Sequence, residues 1–263
     1  MNHKKLLNLL ARNAKKGEFR AEGNVIYLYD VIVASDEDAE WFGGVSAESF
    51  AKVLRGMSGD VQLRINSPGG DVFGGKAMAQ AVRDYPGQVS AQVDGLAASA
   101  ATFLTSVADQ TIMAPGSMLM IHKAWTIAIG NADDFTAVAG MLNKVDGTIA
   151  DTYVAAAKRR KVEPADFAEL MSNETWFTAA EAIAAGLADE EAGEKVKAKV
   201  RWDLSAYEHA PPPQAAEEPP APAPEPAPAP EPEPEPAPEP NDHHEIEDRR
   251  RRLAAAVALK PAA

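Results

Sequence analysis

The chain has 263 residues, 46% of them apolar, and a formal charge of −13. It contains no cysteine, which excludes disulfides, zinc–thiolate sites and cysteine nucleophiles. No apolar run approaches membrane-spanning length, and the opening MNHKKLLNLLARNAKK is too short and broken for a secretory signal, so a soluble, cytoplasmic protein is expected.

The charge is unevenly spread. Residues 206–240 hold eight glutamates and no lysine or arginine, whereas residues 1–205 hold 21 basic and 27 acidic residues, a net of −6. A mildly acidic body with no basic stripe argues against nucleic-acid binding.

In chain order, NVIYLYDVI (24–32) reads as a strand and SAESFAKVLRGM (46–57) as a helix opened by Ser46. VQLRIN (61–66) is a strand, followed by the turn SPGG and a helix through GGKAMAQAVRDY. QVSAQVDGL (88–96) is a strand that runs into the helix SAATFLTSVA, and QTIMA (110–114) and SMLMIHKAW (117–125) are further strands. A long helix is predicted from about 132 to 160, then a short one in EPADFAELM. In TAAEAIAAGLAD, Thr178 and Glu181 form a capping box and Gly186 sits at the C-terminal cap. Strands regularly separated by helices argue for an α/β domain with a mostly parallel sheet. Fifteen of the twenty prolines fall between 211 and 240. Such a segment buries no core, and 30 residues of extended polyproline-like chain reach roughly 90 Å. The closing NDHHEIEDRRRRLAAAVALKPAA reads as a short, marginal helix: a frayed end or a docking tag.

Five histidines occur, and only His122 lies inside the folded body. It ends the apolar run MLMI, near a strand terminus, where α/β proteins place sites. It is either a general base or a core histidine bonded to a backbone carbonyl. Ser99 follows a strand and opens a helix, so its hydroxyl stands where free N–H groups and positive potential meet. It is either a nucleophile at a strand-to-helix turn or a helix cap. The small neighbours Gly95, Ala97, Ala98, Ala100 and Ala101 would leave room for a substrate backbone. In INSPGGDVFGG (65–75), paired glycines free backbone N–H groups for an oxyanion hole, or make a plain tight turn. GDVFGGKA (70–77) imitates a nucleotide-binding P-loop, but Ala77 stands where Mg²⁺ needs a hydroxyl. The histidine pair at 243–244 is too small for a metal site.

RINSPGG, DGLAASAA with Ser99 twenty-nine residues after Gly70, MLMIHKAW and ETWFTAAEAIAAGLAD occur in this order over roughly residues 24–190. Together they resemble the ClpP-like serine peptidases, most closely the phage branch, the ClpP-related head maturation (prohead) proteases. The resemblance implies a crotonase-like α/β spiral of βαβ units with a protruding helix–strand handle in 125–160. It implies a Ser–His–acid triad in which Ser99 is the nucleophile and His122 the general base. The acid falls on Glu174, or on Asn173 if the motif is displaced by one residue. It also implies an oxyanion hole at Gly70 and Ala100, and neither metal nor cofactor. The expected layout is an N-terminal extension (1–22), a peptidase domain (23–205), a disordered Pro/Glu/Ala-rich linker (206–240) and a C-terminal helix or tag (241–263). Handles interlock the family's rings, so a homo-oligomer is expected. The tail favours a protease packaged in a phage procapsid of a bacterial host, with scaffold, portal or capsid protein as substrate. Competing readings are a housekeeping peptidase fed by an ATPase, a crotonase-fold acyl-thioester enzyme and a non-catalytic assembly protein.

Overall fold

Ile26 and Leu28 alternate with tyrosines in VIYLY, and the alternation puts one face of strand β2 (Val25–Tyr29) into the core. In the computed structural model, which describes residues 9, 11–193, 202–211 and 247, β2 runs parallel to β5 (Val61–Ser67). Next come β6 (Val89–Ala98), β7 (Gln110–Met113) and β10 (Glu190–Glu191), all parallel. The α/β class expected from the alternation of elements is therefore present. β1 (Glu18–Glu22) closes one edge antiparallel to β2, and β3 (Ile32–Val33) pairs with β4 (Val45–Ser46) in a second small sheet.

β6 is long because it serves two neighbours. Ser90–Val93 pair with β7, while Leu96–Ala98 pair with β8 (Met118–Ile121). β9 (Thr175–Phe177) then adds antiparallel to β8.

Helix α1 (Asp36–Phe42) is capped by Ser35, and α2 (Ala47–Arg55) by Ser46, as its sequence predicts. α3 (Val72–Arg83) starts at the cap Asp71, which accepts from the Gly74 N–H at 2.6 Å. The P-loop look-alike is thus ordinary helix: Gly74 and Gly75 are buried in α3, and Lys76 contacts Thr148. Residues 99–101 make one 3₁₀ turn leading into α4 (Thr102–Val107). α5 (Ala132–Arg159) opens with an Asn131–Asp134 capping box and buries only Ile149, Tyr153, Ala156 and Ala157. Its first half, with Phe135 and Met141 exposed, projects from the body. The strand expected over 117–125 stops at Ile121, and 122–131 has no regular structure, so the handle here is helix without a strand. α6 (Phe167–Ser172) and α7 (Ala179–Ala184) follow, the latter with the expected Thr178–Glu181 box.

Both expected ends of the peptidase domain need correction. The described part of the expected extension, residues 9 and 11–22, belongs to the folded body, because Leu9 and Asn13 are buried and Glu18–Glu22 is a strand of the main sheet. Nor does the linker begin at 206: Ala206 and Tyr207 are 2% and 5% exposed and pack with Leu9, Leu96 and Met120. The cause is apolar burial, which outweighs the polar look of both segments. The chain separates into units 1–212 and 213–263. Apart from Glu247, which is helical and exposed, the predicted polyproline run beyond 211 and the terminal helix lie outside the described residues. No helix among the described residues is long and apolar enough to cross a membrane.

Candidate active site

Four chain segments converge at the carboxyl ends of β5, β6 and β8, the edge where parallel sheets expose their loops. β6 and β8 run side by side with Ala98 opposite Met120, so the residues just beyond their ends, Ser99 and His122, meet. Ser99 Oγ lies 2.8 Å from His122 Nε2. Ser99 does not cap its helix: Ala98 is the cap residue, and no side chain caps the turn. Ser99 also takes a φ of +52°, a region that a non-glycine residue enters at a cost and that recurs at functional turns. The contact with Ser99 likewise replaces the backbone-carbonyl partner of a plain core histidine.

The His122 ring is partly buried, with its edges against Trp125 (5.2 Å) and Tyr207 (5.4 Å). Burial pulls its pKa down to about 4, and the nearby Glu174 carboxylate partly opposes that shift. At pH 7 the imidazole is neutral and has a lone pair to accept a proton.

The antiparallel register of β8 and β9 pairs Ile121 with Thr175, so His122 and Glu174 are the next residues on either side of that rung. Glu174 has φ +47°, while Asn173 is the exposed C-terminal cap of α6. The geometry therefore brings Glu174 to the site and not Asn173. Yet the Glu174 carboxylate accepts from Trp176 Nε1 (3.3 Å) and from the backbone N–H groups of Glu208 (2.8 Å) and His209 (2.7 Å). No hydrogen bond joins it to His122.

Gly69 and Gly70 follow β5 with φ of +86° and +144°. A Cβ on Gly69 would stand 2.7 Å from Ser99 Cβ, so glycine is required for the two turns to touch. The Gly69 carbonyl and the Asp71 N–H bond to Ile32, leaving the Gly70 N–H between them outside that ladder. The first N–H groups of the 3₁₀ turn, including that of Ala100, lack partners within the helix by position. Of the two expected oxyanion donors, Ala100 directly follows Ser99, and Gly70 follows Gly69, the residue whose Cβ position lies against Ser99.

The alanines around Ser99 do something other than expected. Ala97, Ala98, Ala100 and Ala101 are all fully buried and form no open wall for a substrate. Ala100 packs directly against α3, for a Cβ on Gly75 would come within 2.9 Å of Ala100 Cβ. Sequence reasoning missed Trp125 and Tyr207, whose rings meet the histidine, and Trp176, which packs on Tyr207. The only signal for Tyr207 was an aromatic, apolar stretch, WDLSAY, just before the prolines. Among the described residues no cluster of histidine and acidic side chains could hold a metal ion.

A family model described as Clp protease matches residues 50–194, which include Gly70, Ser99, His122 and Glu174. The chain is 32% identical over 133 residues to the ATP-dependent Clp protease proteolytic subunit 3 of Streptomyces coelicolor, covering 50% of this chain and 60% of that protein. It is 34% identical over 130 residues to proteolytic subunit 1 of Chlamydia pneumoniae (48% and 66%). It is 26% identical over 125 residues to the proteolytic subunit of Deinococcus radiodurans (47% and 61%). These matches span about three-fifths to two-thirds of each relative's length.

Proposed function

The chain belongs to the Clp protease family, and from that premise we propose that it is a serine endopeptidase. The observation that carries this reading is the 2.8 Å contact between Ser99 Oγ and His122 Nε2 at a turn where Ser99 has a positive φ. His122, neutral at pH 7, takes the Ser99 proton as the hydroxyl attacks a peptide carbonyl. The Gly70 and Ala100 N–H groups hold the oxyanion, each such donor contributing about 10²–10³ in rate. His122 then protonates the leaving amine, and water resolves the acyl-enzyme. Glu174 orients the imidazole and balances its charge once its carboxylate is free to face His122 Nδ1. A fluorophosphonate probe tests the assignment: it should label the full chain at Ser99 and leave Ser99→Ala unmarked. A folded, assembled sample that never labels would sink it.

The working form is a ring of identical chains, for which the exposed Ile127, Ile129, Phe135 and Met141 along and before α5 supply apolar contact surface. The substrates are scaffold, portal or capsid proteins of a maturing phage head. The Pro/Glu/Ala-rich segment supports this reading, since it suits a tether within an assembling shell. Removing residues 213–263 should abolish incorporation into procapsids while leaving peptide hydrolysis intact. A second reading, a peptidase fed by an ATPase, is favoured by relatives named as ATP-dependent proteolytic subunits. In that case degradation of a folded protein would need an added Clp ATPase and would not need residues 213–263.

A further inference from the structure

Residues 202–211 run past the candidate site and are fastened there through Trp202, Tyr207, Glu208 and His209. Tyr207 is buried, stacks on Trp125 at 5.7 Å, meets Trp176 edge-on at 5.9 Å and sets its ring against His122. Its hydroxyl donates to the Pro68 carbonyl at 2.6 Å, on the turn that carries Gly69 and Gly70. The next two backbone N–H groups, of Glu208 and His209, hold the Glu174 carboxylate. Upstream, Trp202 Nε1 donates to Asn66 Oδ1 at 3.2 Å.

The fastening continues into the N-terminal segment. Asn13, fully buried, donates from Nδ2 to the Asp203 carbonyl at 2.9 Å and accepts the Asp203 N–H on Oδ1 at 2.8 Å. Arg12 pairs with the Asp203 carboxylate at 3.1 Å, and Leu9 shares an apolar cluster with Ala206 and Tyr207. A backbone-like pair between a buried asparagine and one residue of a distant segment specifies where that segment sits.

We infer that residues Trp202–Ala210 are an autoinhibitory strap: Tyr207 fills the space beside Ser99 and His122, the Glu208 and His209 amides keep Glu174 from engaging His122, and Asn13 is the clasp. The inference rests on the proposed peptidase reading for its consequence but not for its geometry. While the strap is seated, a peptide cannot lie over Ser99, and the triad lacks its third hydrogen bond. Lifting the strap opens the site and frees the Glu174 carboxylate in one motion. An occupant of this kind lowers apparent affinity by the fraction of molecules in which it is released. Because the strap leads directly into the proline-rich segment, any partner that pulls on that segment would act on the site.

The test uses the full chain with three variants: Tyr207→Ala, which empties the pocket; Asn13→Ala, which opens the clasp far from the chemistry; and His209→Pro, which deletes one exposed amide donor to Glu174. Labelling of Ser99 by a small fluorophosphonate should speed up by roughly tenfold in each. In a Ser99→Ala background, a fluorescent peptide of sequence WDLSAYEHA should bind the Tyr207→Ala chain at least about tenfold more tightly than the parent strap-bearing chain. Folded variants with parental labelling rates and parental peptide affinity would overturn the strap. Absent labelling with tightened peptide binding would overturn the peptidase reading and leave the strap standing. Should one variant fail to fold, the other two carry the same comparison.

Discussion

Ile121 pairs with Thr175 across the antiparallel β8–β9 ladder, and the next residues out from that rung are His122 and Glu174, the proposed base and acid. A strand pairing, not a local motif, sets His122 opposite Glu174. The ladder fixes backbone positions, while the 2.7 and 2.8 Å bonds from His209 and Glu208 decide where the Glu174 carboxylate points.

Glu174→Gln should therefore lower peptide hydrolysis by about 10²–10⁴-fold in any strap-released form, since an amide neither fixes the tautomer nor balances an imidazolium. Asn173→Ala, at an exposed cap, should stay near the parental rate. Steady-state kinetics on a short peptide makes the comparison, and equal losses in both variants would return the acid to an open question.

His122 titrates well below the ordinary imidazole range, at about 4, because burial penalises the charged ring. A folded pKa below the unfolded value of about 6.5 means that the unfolded chain binds the proton first. The stability due to the neutral ring is thus complete above about pH 6.5 and is lost as pH falls toward 4. His122→Gln should flatten that part of the profile. Thermal unfolding at pH 7 and pH 4.5 reads the difference, and identical pH dependence in parent and variant would contradict the buried neutral ring.

Gly69→Ala places a methyl 2.7 Å from Ser99 Cβ at a φ of +86°. Left-handed backbone costs an alanine about 1–2 kcal/mol, and overpacking adds about 1–3 kcal/mol. The expected result is a chain destabilised by a few kcal/mol with slow fluorophosphonate labelling, because the serine turn must shift. Denaturant melts and labelling rates together would expose the error if both stayed parental.

Arg64 donates to Asp94 twice, at 2.7 and 2.6 Å, and Tyr29 adds its hydroxyl to the same buried carboxylate. Arg64→Met would strand that charge at a cost of about 3–5 kcal/mol at pH 7. Urea melts of parent and variant at pH 7 measure the loss, and an unchanged midpoint would show that the buried carboxylate does not depend on Arg64.

Much of this was legible from one chain of letters. Alternating apolar residues marked β2 and β5, and Ser46 and the Thr178–Glu181 box marked helix starts, because these signals are local. Ser99, His122 and Gly70 were legible as candidates because few residue types at strand ends do such chemistry. The roles of small residues were misread: the buried alanines beside Ser99 look from sequence like space left for a substrate. Whether smallness serves a neighbour or a ligand depends on what packs against it, here Gly75 of α3.

The order of the strands' chemistry was thus determined by sequence alone: a serine after one strand, a histidine after another, paired glycines after a third. Tertiary structure decided which chain ends fold back. In sequence, residues 9 and 11–13 look like part of a loose extension, and 202–210 like the end of a domain running into a linker at 206, since neither has periodicity enough to announce an element. They are ordered by each other, through Asn13 with Asp203 and Leu9 with Tyr207, across about 190 positions of chain that no window of sequence can span.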